Sequence, residues 1–342
     1  MKLLIASLLG GTNIGGAFFK AAKSLNLNLS FFDIQSAYTA PKWLQRINWH
    51  LRGKYPSKLE SLSQKLVWEC ENLKPDLLIS TGITPINQKA LLQLDRMGIK
   101  KINFLTDDPW NPAHYAPWFL KAFPHYDIIF SPRRANLNEL VQAGCHNVEY
   151  LPFGFDRELF YPEEFINSET RLQYSCDVVF AGGGDRDRLE YMSALINSGI
   201  NVNLYGGYWD CYPETKAYSG GIADVRTLRL AIASAKIALC LVRKANRDGN
   251  CMRTFEVPAI GACMLTEDTP EHREIFGEEG EAVLYFQTIP EMLEKVRWLL
   301  NHDTERQRLA QNAHSLIFQG KHTYKDRLES MLSLTEKLLF KK

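Results

Sequence analysis

The chain has 342 residues, enough for about two domains of ordinary size, and 45% apolar with 23% charged residues is the composition of a folded globular protein. A formal net charge of +1 gives no overall electrostatic case for a nucleic-acid partner, and no window offers the roughly 20 consecutive apolar residues of a membrane span. The seven cysteines form no C-x-x-C pair and lie mostly in apolar runs, the pattern of reduced thiols in a cytoplasmic protein.

In chain order, short apolar runs alternate with amphipathic stretches. The opening MKLLIASLLGGTNIGG imitates a signal peptide, but its apolar stretch is short and runs into a Gly-rich turn, so it reads as a first buried strand, Lys2–Ser7. Further strands are expected at Leu29–Phe32, Asp76–Ser80, Lys101–Leu105, Asp127–Ser131 and Val148–Leu151. Between them Ser57–Leu73 puts Leu59, Leu62, Leu66, Cys70 and Leu73 on one helical face, with Ser57 and Glu60 as a capping box and Pro75 as the stop. Asn87–Met97 and Asn136–Ala143 are helices ending at Gly98 and Gly144, positions suited to positive φ.

The second half repeats the theme. Strands are expected at Asp177–Ala181, Val202–Tyr205, Lys236–Leu241, Ala262–Thr266 and Ala282–Tyr285. The helices fall at Arg188–Asn197, Arg226–Ala235, Arg253–Ile260, Pro290–Leu300, Thr304–Phe318 and Tyr324–Leu339. Apolar runs with little alternation mark strands buried on both faces, and helices between them imply parallel sheets. PFGFDRELFYP at 152–162 reads as the interdomain linker, with a second crossing near Gln319–Thr323. The expected division is 1–155, 163–320 and a final helix at 321–342 that returns to the first domain.

Ligands of open parallel sheets bind at the carboxyl ends of strands. Gly182, Gly183 and Gly184 follow one strand and open a helix, where backbone amides and the helix dipole favour a phosphate, with Arg188 beside them. Arg253 and Glu256 are three residues apart, so they share a helical face: a carboxylate for ribose hydroxyls and a guanidinium for a phosphate. Asp248, eight residues before Glu256, is placed to meet sugar hydroxyls. Asp107 and Asp108 end another strand, candidates for a general base, with Trp110 as a sugar platform and His114 as an alternative base. Gly11 and Asn13, after the first strand, could hold a sugar or anion or simply form a close-packed turn. Residues 42–58 interleave Lys42, Arg46, His50, Arg52, Lys54 and Lys58 with Trp43 and Trp49, a solvated helix face or a peripheral contact for a membrane, an anionic acceptor or nucleic acid.

TDDPW at 106–110, NLNELVQAGCHNVEYLPFGFDRELFYP at 136–162, DVVFAGGGDRDR at 177–188, NLYGG at 203–207 and MRTFEVPAIGACMLTE at 252–267, taken together, resemble the CgeB-like glycosyltransferases, related to the group 1 branch of the GT-B fold. The Arg-x-Phe-Glu-x-x-Ala-x-Gly pattern from Arg253 to Gly261 is the most specific of these. The resemblance implies two Rossmann-like parallel-sheet domains facing a central cleft. It implies a ribose-binding role for Glu256, with Tyr205 of NLYGG in the donor set, and Arg188, Arg253 or Arg243 on the diphosphate. Retaining relatives carry Glu-x7-Glu, and here the first position is Asp248. The implied reaction moves a sugar, of the hexosyl class, from a nucleotide diphosphate donor, a UDP-sugar, to a glycan or other hydroxyl acceptor on the first domain, with domain closure excluding water. No cofactor and no metal are expected, since no Asp-x-Asp motif follows a donor-domain strand. The alternatives are a degenerate nucleotide-sugar-binding protein and a sugar-nucleotide epimerase.

Overall fold

The structure, a computed structural model, describes residues 1–163 and 167–340. Its packing divides into two units: Met1–Pro152 with Ala245–Asp248 and the chain from Tyr324 onward, and Phe153–Lys244 with Gly249–Thr323.

In chain order the first unit contains β1 (Lys2–Ser7), α1 (Ile14–Ser24), β2 (Asn28–Asp33), α2 (Lys42–Leu51), α3 (Leu59–Leu73), β3 (Leu77–Thr81), α4 (Gln88–Arg96), β4 (Lys100–Phe104), α5 (Pro117–Leu120), β5 (Ile128–Ser131), α6 (Leu137–Gln142) and β6 (Val148–Tyr150). The second contains α7 (Ser168–Tyr174), β7 (Val178–Ala181), α8 (Arg186–Asn197), β8 (Val202–Tyr205), α9 (Val225–Ser234), β9 (Ile237–Cys240), α10 (Met252–Ile260), β10 (Met264–Glu267), α11 (Pro270–Phe276), β11 (Leu284–Phe286), α12 (Ile289–Asn301) and α13 (Asp303–Gln319). Helix α14 (Tyr324–Thr335) then rejoins the first unit.

The first sheet runs β2-β1-β3-β4-β5-β6 and the second β11-β10-β9-β7-β8, with every pairing parallel. The unbroken apolar runs explain this: Leu3, Leu4, Ile5 and Ala6 of β1 and Val178, Val179 and Phe180 of β7 are all buried, so helices must cover both sheet faces. Parallel pairing in turn requires long crossovers, which the helices supply. In each sheet the strand order reverses beside the first strand, between β1 and β3 in one and between β7 and β9 in the other. Such a switch point leaves a crevice at the carboxyl ends, where loops diverge to opposite faces.

Helix α14 packs on α1. Tyr324 meets Phe18 edge-on with centroids 5.6 Å apart, and Phe18 meets Phe104 at 5.4 Å, so the returning helix is joined to the sheet through one aromatic ring. Gly15 lets α1 lie against β1, because a Cβ there would overlap Ser7. Within the second unit the two connecting segments run side by side: Phe155 N–H donates to His322 O at 3.2 Å.

The structure corrects the capping box predicted for α3. The helix starts at Leu59 with Lys58 as its uncapped first flank. Ser57 instead accepts from Asn48 Nδ2 at 2.9 Å, and Glu60 accepts from Tyr55 OH at 3.0 Å and Asn87 Nδ2 at 2.7 Å. Tertiary partners on α2 and before α4 have outcompeted the local motif. Helix α11 was not foreseen; its signal is Thr269-Pro270, an N-cap whose hydroxyl accepts from His272 N–H, followed by Pro in the first turn.

Candidate functional site

Both switch points carry candidate residues. In the first unit a cavity of about 280 Å³ opens at the carboxyl ends of β1 and β3. Ser7 and Thr81 end those strands and share a 2.5 Å hydroxyl–hydroxyl hydrogen bond at its floor. Gly82 follows at φ +62°, and a Cβ there would come within 2.5 Å of Thr106 Oγ1, so only glycine leaves this wall in place. Asn13, Asp107 and His114, named from the sequence, line the cavity together with Trp49, Lys54 and Trp118.

Asp107 and His114 form a pair, Nε2 to Oδ1 at 3.3 Å. Thr106 Oγ1 donates to Asp107 Oδ2 at 3.1 Å and Asn246 Nδ2 to Oδ1 at 3.2 Å, so the carboxylate is oriented while its side chain stays partly exposed. Asp108 has a different place. It is 1% exposed and accepts from Trp110 N–H at 2.9 Å, Asn136 Nδ2 at 3.1 Å and Arg247 Nε at 2.6 Å. Asp108 thus holds the loop and Asp107 faces the cavity. Trp110 does not line it either, its ring packing toward Phe123 at 6.2 Å, whereas Trp49 and Trp118 do. Gly11, at φ +56° with open space beside it, shapes the exposed turn before Asn13.

Asp248, expected as a catalytic residue that meets sugar hydroxyls, lies in the first unit, its side chain ion-paired with Arg133 and nearly buried. Its segment, Ala245–Asp248, is fastened residue by residue. Asn246 accepts from Asn111 Nδ2 at 2.6 Å, and Arg247 holds Glu139 through two 2.7 Å bonds while reaching Asp108. Spacing from Glu256 along the chain could not reveal this, because it assumes that the intervening loop stays with its own sheet.

In the second unit Glu256 lies on the first turns of α10 and is 0% exposed. It is ion-paired with Arg253, three residues earlier. Arg253 Nε donates to Ala181 O at 3.1 Å, at the carboxyl end of β7. One guanidinium therefore links the carboxylate to the strand that leads into Gly182–Gly184. Among the described residues Glu256 Oε1 has no hydrogen-bond partner, a costly state for a buried carboxyl oxygen.

The glycine bend works differently from expectation. Gly182 N–H donates to Tyr205 O and Gly184 N–H to Gly207 O, both at 2.8 Å, so two of the three amides are already engaged. The reason is close packing of two loops: a Cβ on Gly206 would overlap Gly182 O. Tyr205 contributes this carbonyl, while Gly220 sits against its ring. Arg188 is also structural. Its buried guanidinium donates to Gly183 O at 3.1 Å and Leu241 O at 3.3 Å, tying together the ends of β7 and β9. Arg243 supplies a more accessible cation: its Nη2 lies 3.9 Å from where a Gly183 Cβ would stand, and its Nε lies 3.9 Å from Asp185 Oδ2.

Helix α10 is anchored from below by His272, fully buried on α11. Its Nδ1 lies 2.8 Å from Glu267 O and 3.1 Å from Thr266 Oγ1, and its Nε2 lies 2.9 Å from Thr254 Oγ1. Burial holds its pKa below the ordinary imidazole value. Cys251, the N-cap of α10, has its thiol pKa lowered by its hydrogen bond with the Cys240 thiol, whose Sγ is 3.7 Å away. Among the described residues no group of three or more His, Cys, Asp or Glu could hold a metal ion.

Comparison with known proteins agrees with this layout. Residues 187–333 match the family described as "Glycosyl transferase-like". No curated protein matches in sequence. Among solved structures, sucrose-phosphate synthase from Thermosynechococcus elongatus superposes with a TM-score of 0.68 at 14% identity, over 99% of this chain and 100% of that one. HepE from Anabaena, in complex with UDP-glucose, gives 0.67 at 15% identity over 98% and 100%. A candidate UDP-N-acetylglucosamine 2-epimerase from Listeria monocytogenes gives 0.54 at 13% over 100% and 98%. The two Rossmann-like parallel-sheet units are thus the fold of GT-B glycosyltransferase structures, and residues 187–333 carry the glycosyl transferase-like match.

Proposed function

We propose that the protein transfers a hexosyl group from a UDP-sugar to an acceptor hydroxyl, with the donor held by the second unit and the acceptor by the first. The observation that carries this is the buried Glu256 carboxylate, unsatisfied at Oε1 and covered by Arg253 beside the β7–β9 switch point. A ribose offers two adjacent hydroxyl donors, the complement of such a carboxylate. Donor entry exchanges the Arg253 contact for these hydroxyls and turns the guanidinium toward the phosphates. Arg243, the Gly183 amide and the start of α8 meet the diphosphate, and their positive charge stabilises the leaving group in place of a metal. HepE bound to UDP-glucose supports a UDP-sugar as donor on this fold.

Asp107, rather than Asp108, receives the acceptor hydroxyl, because it faces the cavity and keeps part of its surface exposed. Asn13, Trp49 and Trp118 supply polar and aromatic walls suited to a sugar-sized acceptor. Asp248 serves as a positioning residue through Arg133, not as a sugar contact.

A panel of nucleotide sugars tested by thermal shift checks the reading. UDP-sugars should raise the melting temperature, as ligands of the native state do, and Glu256→Gln should diminish the rise at equal concentration. An undiminished shift in the variant would overturn the assignment. Turnover of UDP-sugar to an isomer without acceptor would favour an epimerase, the activity suggested for the Listeria neighbour. Binding without any turnover would favour a degenerate site.

A further inference from the structure

Helix α2 reverses the usual surface pattern. A globular helix normally buries its apolar stripe and exposes its polar face. Here Asn48 is the buried residue, donating to Ser57, while Trp43, Ile47 and Leu51 stand in one row at i, i+4 and i+8 and are 63%, 40% and 80% exposed. Beside that row runs a second one of Lys42, Arg46 and His50, all exposed. Arg52 and Lys58 extend the basic margin, and residues 34–59 contain no Asp or Glu. Five Lys and Arg side chains fall in this acid-free stretch of a chain whose net charge is +1. Among the described residues Lys42, Arg46, Arg52 and Lys58 form no ion pair.

We infer that α2 is a docking surface for an anionic lipid bilayer, lying in the plane of the interface. The apolar row inserts among the acyl chains and the basic row meets the headgroups, the division of labour of in-plane amphipathic helices. Charge complementarity chooses this occupant. A second copy would set the same basic margin against itself across a two-fold axis, and for a nucleic acid the row offers one aromatic platform, Trp43, while the exposed aliphatic Ile47 and Leu51 would have no base to stack on. No described helix is long and apolar enough to cross a membrane, so attachment would be peripheral. Trp49, on the same helix, also lines the first-unit cavity, which joins the lipid surface to the proposed acceptor site.

The inference does not depend on the identity of the donor, and its test reads no transfer. The purified full chain would be sedimented with vesicles of phosphatidylcholine alone and of phosphatidylcholine mixed with phosphatidylglycerol. Binding is expected to the mixed vesicles, with weakening as salt rises. Lys42→Gln with Arg46→Gln should lower partitioning by about 25-fold, about fivefold per charge. Trp43→Ser with Leu51→Ser should abolish it while leaving the melting temperature and its response to UDP-sugar unchanged. No binding to mixed vesicles, equal binding to neutral ones, or undiminished binding by the double Ser variant would overturn the inference. So would a concentration-dependent dimer that the Ser variant dissolves, or capture of single-stranded DNA in preference to the vesicles.

Discussion

At the residue scale, two adjacent carboxylates have been given different tasks by their surroundings. Asp108 spends its oxygens on Trp110, Asn136 and Arg247, whereas Asp107 is oriented by Thr106, Asn246 and His114 and left at a cavity wall. A group used as a base must reach its substrate, and only Asp107 meets that condition. Asp107→Asn should therefore reduce the transfer kcat by about 10²–10⁴-fold, the usual range for removing a general base, with the UDP-sugar Kd unchanged. Steady-state kinetics with a fixed acceptor check this, and a variant that retained most of its kcat would remove Asp107 from the chemistry. The sequence showed the pair but not the division, because spacing places both at a strand end and says nothing of Arg247, which arrives from 139 positions away.

At the scale of elements, α10 depends on a neutral histidine. With one ring proton, His272 Nδ1 donates toward Glu267 O and Nε2 accepts from Thr254 Oγ1, the hydroxyl that also accepts the N–H of Cys251. A second proton would place a donor on Nε2 and a charge in a buried site. The His272 pKa is lowered on folding, so the unfolded chain binds more protons, and stability falls as pH drops below the ordinary value of about 6.5. Urea unfolding between pH 7.5 and pH 5.5, on the order of the range where histidine titrates, should show the second unit losing up to about 1.4 kcal/mol per pH unit there. His272→Asn should be less stable at pH 7 yet flatter across that range; an equal slope in both would contradict the account. The positions of the strands along the chain, and the helix from Arg253 to Ile260, were legible from uninterrupted apolar runs punctuated by glycine; the order of the strands within each sheet was not. The buried His272 and the cap competition at Ser57 were not, since both are decided by partners distant in sequence.

At the scale of the whole chain, parallel sheets with their order reversed beside the first strand explain why candidate residues gather where they do. The glycine runs at 10–16 and 182–184 both follow first strands, and the structure puts the switch points there. What periodicity could not show is the crossing at Ala245–Asp248, which lends four residues of the second half of the sequence to the first unit, where Asp248 pairs with Arg133. If Glu256 holds the ribose of a UDP-sugar, as proposed, isothermal titration of UDP-glucose into wild type and Glu256→Gln reads that contact directly. Loss of hydrogen bonds to a charged group, about 1.5–3 kcal/mol, predicts a Kd raised about 10–100-fold in the variant. Equal affinity in the two proteins, with both correctly folded, would contradict it.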